Sequence, residues 1–452
     1  MIGTFLPVNQ SREVSVVGAG IAGLLLAYRL DKLGYQVTLY EAADRVGGLI
    51  STQRTEYGIA EAAAHSFLAT PAVRELCQEL RVELVGVRRR GRARYVWRGG
   101  KPRRMPLSIG EALAAFGRAY FKVARKDFDP ERQTMAEWAL RHVGPAALEY
   151  GLSPFLRGIY GAEPEEIGVR AAFPGLQIQA GHSFLSARLA KARIRPRPPK
   201  RAKGPMMAPL GGMAVLTGAL ERELRQRLGE RFRLREKLTT LPAGAGAGAT
   251  ANIALCVPAP VAAQLLKAAD PGLASALGRV RYAPLVCVTA FVSRKLMRRP
   301  IEGVGVLMPR KEARGCLGIL FNSSAFPERA EHEGEIASFT VMLGGTQDAE
   351  VLKISDNALR DRVAHELREV FGCVDDPLSL TIARWPAAVP VYSPDLPPIW
   401  EQARRSWCAT PGHILFGNYT GQVSLRGMIE SVSELSIPFT KRPLVGPELS
   451  LP

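Results

Sequence analysis

A glycine triplet set between an apolar strand and a helix leaves a chain few ways to fold, and residues 14–41, VSVVGAGIAGLLLAYRLDKLGYQVTLYE, contain one. Val14, Val16 and Val17 make a short apolar strand, and Gly18, Gly20 and Gly23 form G-x-G-x-x-G. Ile21 to Leu33 then runs at helical spacing before Tyr35 to Tyr40 alternates as a second strand. Each glycine has its own task. Gly18 permits the tight strand-to-helix turn, Gly20 lets the backbone approach a pyrophosphate, and Gly23 lets the helix pack closely on the sheet. The helix N-terminus favours an anion through its free N–H groups and its dipole. Glu41 closes the second strand, where a carboxylate accepts hydrogen bonds from ribose hydroxyls. The unit predicts a dinucleotide site.

The next ten residues choose between dinucleotides. Glu41-Ala-Ala-Asp44-Arg45-Val46-Gly47-Gly48-Leu49-Ile50 resembles the E-x-x-x-R-x-G-G-[RKL]-[IL] run of the FAD-dependent amine oxidase, desaturase and protoporphyrinogen oxidase superfamily. In that superfamily the arginine and paired glycines lie along the cofactor, so the resemblance implies FAD, held by Gly18, Gly20, Gly23, Glu41, Arg45, Gly47 and Gly48. Nicotinamide dehydrogenases lack this extension.

Composition removes some classes and leaves others open. The 452 residues suffice for two or three domains, and 47% hydrophobic content marks a globular chain. A net charge of +18 suits acidic lipid, nucleic acid or a polycarboxylate substrate. No RNP, helix-turn-helix or zinc pattern supports nucleic acid, which is set aside. Cys77, Cys256, Cys287, Cys316, Cys373 and Cys408 are widely spaced, with no metal-ligand or disulfide pattern, and read as core. The six histidines form no pair with a Ser or Cys, so no acid–base catalytic group is assigned and no metal is expected. The N-terminus reads as no signal peptide, and no apolar stretch reaches a membrane span of about 18 residues. The expected setting is the reduced cytoplasm, with peripheral contact at the inner face of the plasma membrane.

Along the chain, Thr70-Pro71 starts a helix over 72–80, Val82 to Val87 reads as a strand, and Arg94 to Gly100 reads as a hairpin turning at Gly99-Gly100. Helical patterning covers 107–152. Arg193 to Lys203, basic and Pro-rich, reads as an exposed loop and a candidate contact for anionic lipid; Ala243 to Ala249 reads as a loop. A helix is expected over Ala214 to Leu228 and strands over Ile253 to Val257, Leu285 to Val292, Leu317 to Phe321, Ile336 to Leu343 and Gly412 to Asn418. The fold class is therefore α/β plus α+β: a discontinuous, Rossmann-like FAD-binding domain (1–85, 205–272, 409–452), a helical insertion (86–204) and a β-rich substrate domain (273–408).

Pro154-Phe-Leu-Arg157-Gly158-Ile-Tyr-Gly-Ala-Glu-Pro164, followed by Ala172-Phe-Pro174, resembles the PFxxGIYAGDPxxLSxxAAFP pattern of oxygen-dependent protoporphyrinogen and coproporphyrinogen oxidases. Gly303 to Pro309, Leu317 to Pro327, Arg384 to Tyr392 and Gly417-Asn-Tyr419 match in order, so the resemblance spans about Val14 to Ser433. It implies FAD-dependent oxidation of a porphyrinogen with O₂ as acceptor, in tetrapyrrole biosynthesis, and an insertion that touches membrane in relatives. By the same resemblance, Arg94 pairs with a substrate propionate, Arg157 and Gly158 form a turn closing over the ring, and Val304 and Leu307 line the macrocycle. Gly417, Asn418 and Val423 complete the FAD site. Many relatives place an aromatic residue where Val304 stands. Other departures gather at the flavin-ring end: Ala63 replaces a glycine, Gln422 replaces a glycine, and Gly427 replaces an aspartate. The usual last helix is expected to be shortened before a basic tail. Two other readings therefore stay open: another amine oxidase or desaturase-type enzyme, and a non-catalytic FAD- or porphyrin-binding accessory protein. Dimerisation is open too.

Overall fold

The computed structural model describes residues 12–123, 129, 131–178, 181–187, 204–242, 251–332 and 334–435. The basic run Arg193 to Lys203, the loop Ala243 to Ala249 and the tail after Leu435 lie outside the described residues.

The opening unit forms as expected. β1 (Glu13–Val17) and β2 (Gln36–Tyr40) pair in parallel, Val14 opposite Val37 and Val17 opposite Tyr40, with α1 (Ile21–Lys32) between them in sequence. They lie in a five-stranded parallel sheet ordered Phe232–Arg233, β2, β1, Asn252–Leu255, His413–Leu415. Its strands thus come from three distant stretches of chain. Side chains alternate across it. Val14, Val16, Leu39, Ala254 and Ile414 pack with α1, with Leu216 and Leu220 of the helix Ala214–Leu228, and with Met428. Val17, Ile253, Leu255 and Leu415 pack on the other face with Ala262, Leu266, Leu273 and Trp400. Cover on both faces is what a parallel sheet needs.

A second sheet of seven strands is ordered Ser379–Pro390, Tyr282–Ser293, Ile336–Gly344, Gly318–Leu320, Gly305–Leu307, Arg94–Trp97, Pro102–Arg103. Val286, Val288, Ala290 and Val292 pack against Leu359, Val363, Leu367 and Phe371 of the helix Asp356–Phe371. The alternate residues face the nucleotide half: Leu285 meets Trp385, Thr289 meets Thr340, and Phe291 packs with Ala330 and Tyr57. In the edge strand, Trp385 lies opposite Leu285 but Val389 lies opposite Ala283, so the strand bulges around Pro386. A proline without an N–H is tolerated at an edge and at a bulge.

The hairpin expected near the start of residues 86–204 forms, with Gly99 and Gly100 at φ +59° and +73°. It belongs to the seven-stranded sheet, pairing Arg94 with Gly305 and Val96 with Leu307 in parallel. Within the helical patterning expected over 107–152, helix runs over Ile109–Phe121, then Met135–His142, with shorter turns before Ser153–Tyr160. Ser108 with Glu111 and Thr134 with Glu137 form capping boxes at the first two helix starts. All six cysteines are buried, and none forms a disulfide. Among the described residues no helix is long and apolar enough to cross a membrane.

Candidate functional site

The three fingerprint glycines have distinct environments. Gly18 has φ +97°, and a Cβ there would stand 2.8 Å from the Cys256 carbonyl oxygen. A Cβ on Gly23 would overlap the Gly18 carbonyl oxygen, which is how α1 comes so close to β1. Gly20 differs, because a Cβ there would meet no atom within 4 Å. Two glycines serve packing inside the fold, and the third leaves open space at the N-terminus of α1, where a diphosphate would be held. Glu41 accepts the Ala19 N–H at 2.7 Å and the Ala43 N–H at 2.9 Å, so its carboxylate sits against the glycine turn.

Gly47 and Gly48 form a second turn pressed on the first. Gly47 N–H donates to Ala19 C=O at 2.8 Å, and both residues have positive φ, +96° and +59°. Arg45 stiffens this turn by donating to the Gly48 and Val46 carbonyls at 2.8 and 3.2 Å. The C-terminal contribution adjoins through Val257, whose Cγ1 would lie 2.9 Å from a Gly18 Cβ and whose carbonyl would lie 3.9 Å from a Gly417 Cβ. The backbone of Gly417, Asn418 and Tyr419 is held by Thr420, Tyr392 and Trp400, at 3.2, 2.6 and 2.7 Å. Val423 is half-buried one residue before Ser424, which caps the helix Leu425–Ser433 by accepting the Gly427 N–H at 3.1 Å. All these turns lie at the carboxyl ends of the parallel strands, the edge where open α/β sheets bind ligands. An open Gly20 face, the N-terminus of α1 and a carboxylate at the end of β2 fit the adenosine and diphosphate parts of FAD.

The departures at the other end are linked. A Cβ on Gly427 would overlap the carboxamide oxygen of Gln422, so the glycine makes room for the longer side chain. What reads as two separate losses is one exchange of volume. The last described helix is short, nine residues.

Of the substrate-site residues inferred from motifs, Arg94, Val304 and Leu307 lie on or beside two paired strands of the seven-stranded sheet, and Arg157 and Gly158 lie on a helix packed against them. Arg94 is exposed beside Gly305, and Val304 donates its N–H to Ala93 C=O at 2.7 Å. Leu307 packs on Gly158, its Cδ2 only 2.8 Å from where a Cβ would be. Arg157 and Gly158 were expected in a turn but lie within the helix Ser153–Tyr160. The Arg157 side chain points into the protein: it donates to Met308 C=O at 2.7 Å and forms an ion pair with Glu163 at 3.0 Å. Burial pushes the Glu163 carboxyl up, opposed by Arg157 and Arg310.

Motif reading missed a group at the junction of the two halves. Buried Glu61 pairs with buried Arg329 and accepts from the Thr52 hydroxyl at 2.6 Å and the Met213 N–H at 2.8 Å. Trp385 donates its indole N–H to Ala62 C=O at 2.7 Å. Around that indole, Leu285, Leu317 and Ala388 are buried, and Met342 and Val389 are partly exposed, forming an apolar wall. His65 joins Thr340 at 3.0 Å, and burial beside Arg329 pulls its imidazole down to about 4. Only the run Glu61 to Ala64 carried a sequence signal, as an altered motif.

The fold and this cradle define an FAD-binding oxidoreductase of the two-domain kind, a parallel nucleotide sheet facing a β-rich second domain. The chain belongs to the family described as flavin containing amine oxidoreductase, whose model matches residues 21–433. Protoporphyrinogen oxidase 2, chloroplastic/mitochondrial, of Arabidopsis thaliana is 26% identical over 93% of this chain and 92% of its own length. Two solved structures share the fold. An Exiguobacterium sp. 255-15 protein described as a candidate protoporphyrinogen oxidase superposes with TM-score 0.73 at 20% identity, covering 93% of this chain and 96% of its own. Reduced UDP-galactopyranose mutase does so at 0.68 and 14%, covering 94% and 92%. At these identities the structures establish the fold alone, since one fold carries several reactions. The protein is thus an FAD oxidoreductase resembling the protoporphyrinogen oxidases.

Proposed function

We propose that this protein oxidises a porphyrinogen, protoporphyrinogen IX or coproporphyrinogen III, to the porphyrin with O₂ as acceptor, in tetrapyrrole biosynthesis. The observation that carries the reading is the apolar wall of Leu285, Leu317, Met342 and Trp385, bonded through its indole to the Ala62 carbonyl where the two halves meet. A large flat macrocycle needs such a surface more than it needs acid–base groups. FAD, when bound, supplies the hydride acceptor and the route of electrons to O₂. The protein's part is to bind and orient. Arg94, exposed on the same sheet, offers a guanidinium for bidentate contact with a propionate. Arg157 holds the Met308 backbone behind Leu307 and so shapes the wall without touching substrate.

The test is oxidation of each porphyrinogen under air by FAD-loaded protein, read as porphyrin fluorescence. Bound FAD with no turnover of either substrate refutes the reading. A carrier is the second reading, favoured by the Gln422–Gly427 exchange. Tetrapyrrole binding without anaerobic bleaching of the flavin would identify it.

The helix Ile109–Phe121 supports peripheral membrane contact. Ile109, Leu113, Phe116 and Tyr120, 82%, 66%, 63% and 55% exposed, recur at helical spacing along one face. Lys101, Arg103, Arg104 and Lys122 flank it, exposed, and suit an anionic lipid surface. Co-sedimentation with phosphatidylserine-containing vesicles, lost in Leu113→Ser/Phe116→Ser, is the expected result. Equal recovery of both proteins in the supernatant would refute it.

A further inference from the structure

The run Glu61 to His65 crosses from the nucleotide half to the seven-stranded sheet, and its backbone is fastened from both sides. Ala62 N–H donates to Ser51 C=O at 2.9 Å, Trp385 donates to Ala62 C=O at 2.7 Å, and Arg329 donates to His65 C=O at 3.2 Å. The three alanines in between are only partly buried, so they form a surface. The imidazole completes the fastening. Its Nε2 lies 3.0 Å from Thr340 Oγ1.

Thr340 Oγ1 gathers other buried polar groups as well. It accepts from Asn322 Nδ2, 2.9 Å away, and lies 3.0 Å from the Thr289 hydroxyl. A protonated ring would put a second donor against Thr340 and a positive charge beside Arg329.

We propose that His65 is a positioning residue that fixes the Ala62–Ala64 surface against Thr340, and that this surface tunes the flavin ring. The proposal rests on the reading of Ala62–Ala64 as the wall of the flavin-ring end, and its primary test needs no porphyrinogen. Holoprotein carrying His65→Ala or Thr340→Val is compared with wild type by visible spectrum and flavin midpoint potential. The expected result is that each variant keeps FAD and shifts the absorbance bands and the potential in the same sense. The double variant should shift them no further, as one shared linkage requires. With substrate, kcat should fall roughly tenfold while KM stays within about twofold. If His65→Ala does not hold FAD, Thr340→Val, which preserves shape, decides. A Thr340→Val holoprotein with unchanged spectrum and potential, or additive shifts in the double variant, overturns the proposal. A wild type that oxidises no porphyrinogen overturns the proposed function and leaves these readouts intact.

Discussion

Replacing Gly20 and Gly23 in turn by alanine separates a glycine kept for its ligand from one kept for the fold. Gly20 has φ −62° and ψ 172°, a conformation any residue adopts, and open space where the methyl group would go. Lower unfolded-state entropy favours Gly20→Ala by about 0.4–1 kcal/mol, and the poorer N-cap offsets a similar amount. Stability should therefore change by less than about 1 kcal/mol. The methyl group would occupy the approach to the α1 N–H groups. Loss of one charge-assisted hydrogen bond to a phosphate costs about 1.5–3 kcal/mol, so FAD should bind roughly 10- to 150-fold more weakly. Gly23→Ala forces its methyl group onto the Gly18 carbonyl, so α1 and β1 must separate. Such overpacking costs about 1–3 kcal/mol of stability, and FAD is lost with it. Chemical denaturation of the apoproteins and FAD titration by fluorescence quenching give both numbers. A folded Gly20→Ala protein with wild-type FAD affinity would refute the assignment of that open face to the cofactor.

Three other outcomes follow from the junction and its rim. Glu61→Gln leaves the buried Arg329 without its counter-charge and should cost about 3–5 kcal/mol in a urea titration. His65, held near 4 in the fold against an ordinary value of about 6.5, is neutral when folded and takes a proton when unfolded. Stability should thus fall as pH drops from about 6.5 to 4 and stop falling below it, by up to about 3 kcal/mol, less for the ring's partial exposure. His65→Asn should flatten that slope. Arg94→Ala should raise KM for the porphyrinogen roughly tenfold and leave the FAD content unchanged, measured by initial rates and flavin absorbance.

The parts legible in the sequence are those whose causes lie within a few residues. The glycine spacing, the period-two strands around it and the helix over Ala214–Leu228 are recovered as read, because turns and intrahelical bonds are decided locally. Tertiary structure decided the rest. Parallel pairing of Arg94–Trp97 with Gly305–Leu307 joins segments some 210 residues apart, and strand periodicity names no partner. By its motif Arg157 belongs to a turn closing over the ring, and only the placement of Glu163 and Met308 shows it turned inward. Gln422 and Gly427 look like two losses until the side chain of one is found in the space left by the other. Glu61 with Arg329, Ala62 with Trp385 and His65 with Thr340 are polar contacts across the closed junction. Their energies come from removal of water when the halves meet, and no local pattern in the chain records that event.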